Sequence, residues 1–101
     1  MDNEFFNDPE FQALIGEYLN YLKTSVPEIE IELENENFEK VRKFGHNLKG
    51  TGTGYGYEDF TMLGKTIEQY AIDEKKDALF ELLAKLKTLV DEAHEKFNSK
   101  K

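Results

Sequence analysis

The sequence predicts an all-α chain folded as an antiparallel, up-and-down four-helix bundle, and three observations carry that expectation. Apolar residues recur at steps of three and four through four consecutive blocks. Strand signals are nearly absent, since the one alternating stretch, Glu28 to Leu33, is rich in helix-favouring glutamate and lies inside a longer helical register. The segments between blocks are short, so four amphipathic helices can bury their stripes only against one another.

The first block follows Asp8-Pro9, a cap residue with proline in the first turn. It runs through Phe11, Leu14, Ile15, Tyr18, Leu19, Leu22, Val26, Ile29 and Leu33. Pro27 interrupts it, and Ser25 could cap a fresh turn, so the block reads as one kinked helix or two nearly collinear ones. Asn35-Glu36-Asn37 ends it. The second block takes Asn37 as N-cap and shows Phe38, Val41, Phe44, Gly45 and Leu48 on one face. The third starts near Tyr57 and carries Phe60, Leu63, Gly64, Ile67 and Ala71. Asp73 to Asp77 reads as a turn and helix start. The fourth block then repeats Leu79, Leu82, Leu83, Leu86, Leu89, Val90, Ala93 and Phe97. Phe5 and Phe6 suggest a short extra turn or arm, which gives one domain over 1–101: an arm at 1–8, a bundle at 9–98 and a tail at 99–101.

Composition narrows the function classes. Thirteen basic against twenty-one acidic side chains give a net charge of -8, which repels nucleic acid and anionic lipid. Cysteine is absent, removing disulfides and thiolate chemistry, and the acidic amino terminus is unlike a signal peptide. The expectation is a cytoplasmic monomer without a membrane span.

The stretch from Gly45 to Tyr57, GHNLKGTGTGYGY, holds five of the seven glycines and one of the two histidines. On a helical wheel with Phe38 at zero, the apolar arc of the second block centres near 300°, whereas His46 falls at about 80°. The ring therefore points to solvent. Glu39, Arg42, Lys43 and Gly50 share that side, and Lys49 lies one turn beyond His46 at its edge. An imidazole beside an ammonium is poorly placed for a metal cation and well placed to carry an anion. A neutral ring is also a good nucleophile near physiological pH. Gly45 faces inward, where it would allow close helix packing. Gly50 leaves room for another protein's approach.

His46-Asn47-Leu48-Lys49-Gly50, with Gly56 and Leu63-Gly64 downstream, resembles the H-x-x-K-G pattern of histidine phosphotransfer domains. The likeness extends over the four-block layout. It implies that His46 is phosphorylated on Nε2, that Lys49 neutralises the phosphoryl charge, and that Glu68, twenty-two residues after the histidine, accepts the Nδ1 proton. Spacing agrees, because His46 and Glu68 are equidistant from Tyr57 and would sit level in a hairpin turning there. A carboxylate at that position would hold the reactive tautomer and raise the ring's basicity. The resemblance further implies docking around Gly50; the tyrosines, Tyr55 and Tyr57 among them, read first as core-edge residues with wet hydroxyls, and Tyr55 and Tyr57 alternatively as the rim of that docking face. The resemblance also extends the second helix to about Thr53 or Gly54, with Gly54 or Gly56 in the left-handed turn that ends it. Gly52 has no assignment.

The partners so implied are response-regulator receiver domains, a hybrid histidine kinase, or both. The domain would have no cofactor or metal of its own, Mg²⁺ being supplied by the receiver, and no ATP-binding or kinase site. Two alternatives stand beside this reading: a helical adaptor that is never phosphorylated, and a phosphotransfer domain of the chemotaxis-kinase type served by a separate kinase domain. Gly64-Lys65-Thr66 does not make a P-loop, since Asp59 stands where glycine is required and no strand precedes it. His94, between Val90 and Phe97, reads as a partly buried surface residue.

Overall fold

The computed structural model describes residues 8–99, and the expected arm of Phe5 and Phe6 and the last two residues lie outside them. The described chain is all-helical, with four α-helices: α1 (Pro9–Glu34), α2 (Phe38–Thr51), α3 (Glu58–Ile72) and α4 (Lys76–Ser99). A 3₁₀ turn, Thr53–Tyr55, joins α2 to α3. The most extensive packing is between α2 and α3, and α1 packs mainly on α4. Buried side chains from all four helices form one core, including Leu19, Leu22 and Leu33 from α1, Val41 and Leu48 from α2, Phe60 and Ile67 from α3, and Leu79, Leu83, Leu86 and Val90 from α4.

Helix α1 starts as the sequence indicates, with Asp8 accepting from the Glu10 backbone N–H at 2.8 Å and Pro9 inside the first turn. Pro27 does not divide it. The proline sits on the exposed face, so the carbonyl it leaves without an N–H faces water and the helix continues. One member of the expected stripe departs: Leu14 is 48% exposed. It occupies the margin of the apolar arc, beside Ile15 and Tyr18, which are buried.

Both flanking turns depend on a glutamate in the left-handed region, Glu36 at φ 59° and Glu74 at φ 54°. Backbone hydrogen bonds fix each turn, with Asn37 N–H donating to Glu32 C=O at 2.8 Å and Lys75 N–H to Tyr70 C=O at 3.0 Å. Asn37 precedes α2 but does not cap it with its side chain. Its amide donates instead to Glu32 Oε1 at 2.8 Å, tying the end of α1 to the start of α2.

The glycines set the α2–α3 seam. A Cβ on Gly45 would lie 2.6 Å from Glu68 N and 2.9 Å from Gly64 O, and one on Gly64 would strike Lys49 N and sit 2.7 Å from Gly45 O. Gly52 has a role on the same seam, because its Cβ would be 2.6 Å from Thr61 N and 2.7 Å from Tyr57 O. Helix α2 ends at Thr51, two or three residues before the sequence expectation, as the chain tightens into the 3₁₀ turn. Gly56, at φ 91°, supplies the left-handed residue.

Gly64→Ala should therefore destabilise the fold by about 2 kcal/mol, because backbone must move to admit the methyl group. Gly50→Ala, with nothing within 4 Å of the added atom, should stabilise it by up to about 1 kcal/mol through helix propensity. Urea unfolding of the two variants checks both signs.

Candidate functional site

Close approach of α2 and α3 brings four charged or titratable side chains together. His46 Nδ1 lies 2.9 Å from Glu68 Oε2, and Lys49 Nζ donates to Glu68 Oε1 at 2.6 Å. Arg42 Nη1 is 3.9 Å from Glu68 Oε2, while the rest of its guanidinium forks onto Glu39 at 2.9 and 2.7 Å. The His46 side chain is 60% exposed and that of Glu68 only 15%. The expected pairing of His46 with Glu68 is thus present, on a ring that stands in solvent.

Chemistry fixes the tautomer. An ionised carboxylate only accepts, so the proton of a neutral His46 resides on Nδ1 and the lone pair on Nε2. Nε2 has no hydrogen-bond partner among the described residues. The Lys49 ammonium, and after it the hydrogen bond to His46, hold the Glu68 carboxyl below the usual carboxylate range despite the opposing effect of partial burial. Lys49 is the nearer cation to Glu68; Arg42, which the sequence placed only on the exposed side, adds a second.

His94 offers a contrast. Its Nε2 is 2.9 Å from Asn20 Oδ1, and its Nδ1 accepts from the Asn98 amide at 3.0 Å. Both nitrogens of that half-buried ring are engaged, leaving no nucleophilic position.

A Cβ on Gly50 would meet nothing within 4 Å. Tyr55 and Tyr57 lie at the glycine-rich end, beyond the last residue of α2. Their rings turn inward: Tyr55 stacks on Tyr18 at 4.2 Å, and Tyr57 on Phe60 at 4.7 Å. The Tyr18 hydroxyl meets Thr51 Oγ1 at 2.9 Å, and burial pushes its pKa up. These tyrosines close the core at that end. No group of three or more metal-ligating side chains occurs among the described residues, and no described helix is long and apolar enough to cross a membrane. Set against known protein families, curated proteins and solved structures, the chain matches none.

The Glu68 carboxyl is depressed in the folded chain. Its contribution to stability is complete above the ordinary carboxylate range and is lost as pH falls through the lowered value. Glu68→Gln should accordingly lose less stability than wild type between about pH 6 and about pH 3. The comparison is made by urea unfolding, and Glu32 and Glu39, also depressed by their partners, titrate in both proteins and cancel. Parallel pH profiles would mean that the carboxylate contributes nothing.

Proposed function

We propose that this chain is a histidine phosphotransfer domain, an antiparallel up-and-down bundle that carries a phosphoryl group on His46 between receiver-domain aspartates. The observation that carries the reading is the geometry at His46: Nδ1 held by Glu68 at 2.9 Å, Nε2 without a partner among the described residues, and a ring 60% exposed. In the reaction, the Nε2 lone pair attacks phosphorus in line. The bond from phosphorus to the aspartyl oxygen breaks, and the aspartate leaves as its carboxylate. The Nδ1 proton stays on the ring, whose positive charge Glu68 offsets. Lys49 has three donors and uses one on Glu68, so it retains others for the phosphoryl oxygens.

Most of the rate enhancement belongs to the receiver, whose Mg²⁺ and acidic pocket stabilise the charge spread over the transferring group. The domain's part is to present a nucleophile of the correct tautomer at a fixed position. The reading includes a cytoplasmic monomer acting without its own cofactor or ATP-binding site.

Incubation with phosphorylated receiver domains should give an acid-labile, alkali-stable phosphate on this chain. His46→Gln should abolish it, and His94→Gln should leave it intact. Equal labelling of the two variants would remove His46 from the mechanism, and no labelling by any receiver in a broad panel would favour an adaptor. Lys49→Ala should slow transfer or shorten the phosphohistidine lifetime by about tenfold, the scale of one charge-assisted contact, with unchanged circular dichroism.

A further inference from the structure

The charges of this acidic chain are unevenly placed. Helix α2 carries Lys40, Arg42, Lys43 and Lys49 against Glu39 alone, whereas α1 carries six glutamates against Lys23. The basic helix is the one that bears His46. Arg42 is engaged by Glu39, Lys49 by Glu68, and Lys40 by Glu32 at 3.1 Å. Lys43 is exposed and makes no ion pair among the described residues. Passing round α2 away from α3, the helical period gives His46, Gly50, Lys43, Asn47 and Lys40 in succession over about 120°. Lys40, Lys43 and Asn47 form one wall of a groove of about 300 Å³ between α2 and α1. Ile29 and Phe44 are among its lining, Tyr21 of α1 lines it 53% exposed, and Glu28 is its one acid.

Ring geometry selects the direction of approach. Glu68 takes Nδ1 on the α3 side, so Nε2, on the other edge of the ring, is turned away from α3. We propose that the phosphoryl donor docks on the α1–α2 side of His46, its acidic rim on Lys43 and an apolar contact on Tyr21 and the groove. This rests on the phosphotransfer reading and names the surface and the partner chemistry for it. The occupant is an acidic protein surface, because Lys43, the exposed cation of α2 that no carboxylate among the described residues engages, is left to pair with an acid from outside. A lone cation on the rim of such a contact acts chiefly on the association rate. An exposed tyrosine at the edge of a groove supplies the anchoring area.

The test is the second-order rate of phosphoryl transfer from a panel of phosphorylated receivers, at low and high salt. Lys43→Glu should slow transfer about tenfold at low salt and flatten its salt dependence. Tyr21→Ala should slow it severalfold at both salts. Lys87→Glu, the same change of net charge on α4, should leave the rate unchanged, and circular dichroism should be alike for all three. If wild type is never labelled, the phosphotransfer reading falls and this surface with it. If wild type is labelled but Lys43→Glu and Tyr21→Ala transfer at the wild-type rate, or Lys43→Glu only as slowly as Lys87→Glu, the docking surface is overturned and the carrier stands. Binding to phosphatidylserine vesicles that Lys43→Glu abolishes while transfer is unaffected would assign the patch to lipid and likewise overturn it.

Discussion

The contact between the backbones of Gly45 and Gly64 is the constraint from which the site follows. Side chains ordinarily hold packed helices 8–10 Å apart, and at this seam neither helix supplies one. Where a methyl group on Gly45 would stand, the backbone nitrogen of Glu68 is already within 2.6 Å. His46 is the next residue on one helix, so Nδ1 of its solvent-facing ring reaches the Glu68 carboxylate across the seam at 2.9 Å. Were α2 and α3 at ordinary spacing, the 2.9 Å contact at Nδ1 would open, and the ring would be free to choose its tautomer. Two glycines thus act on the chemistry of a histidine neither of them touches through a side chain.

The charges around Glu68 serve orientation more than stability. Exposed ion pairs contribute about 0–1 kcal/mol each, and the Lys49, Arg42 and His46 side chains are all at least one-third solvent-facing or nearly so. Their effect is to pin both carboxylate oxygens, Oε1 by Lys49 and Oε2 by His46, with Arg42 further out. A carboxylate so held cannot rotate to water, and an imidazole bound to it keeps its proton on Nδ1. Stability comes instead from the apolar core shared by all four helices, in which α1 and α4 lie against each other while α2 and α3 carry His46, Lys49 and Glu68.

Much of this was legible in the residue pattern. The period of Leu79, Leu83, Leu86 and Val90 identifies an amphipathic helix from chemistry alone, and the equal distances of His46 and Glu68 from Tyr57 anticipate their contact. Other features leave no such trace. Glutamate is an unusual residue for the left-handed region, so Glu36 and Glu74 announce no turn of their own, and tertiary closure imposes the conformation. Asn37 resembles a cap, yet Glu32, brought near by the turn, wins its amide. Gly52 could be understood only once Thr61 was seen across the seam. Tyr55 and Tyr57 read from sequence as core-edge residues or as a docking rim, and the stacking partners Tyr18 and Phe60, which only the assembled end of the fold provides, place their rings at the core edge.

The two histidines show why exposure alone does not define a nucleophile. His94 is anchored at both nitrogens by neutral amides, Asn20 accepting and Asn98 donating, an arrangement that satisfies the ring and leaves it nothing to offer. His46 is anchored at one. A carrier of an activated phosphoryl group needs that asymmetry: a fixed nitrogen so that the ring does not turn away from the donor, and an open one whose lone pair can form the bond. It also needs a carboxylate near enough to balance the charge that the ring gains, yet on the far edge, where its own charge does not meet the phosphoryl oxygens. Glu68 on α3 meets both conditions because α3 lies on the side away from which Nε2 is turned. The seam that fixes the tautomer therefore also leaves Lys43, His46, Asn47 and Gly50 exposed on the other side of α2.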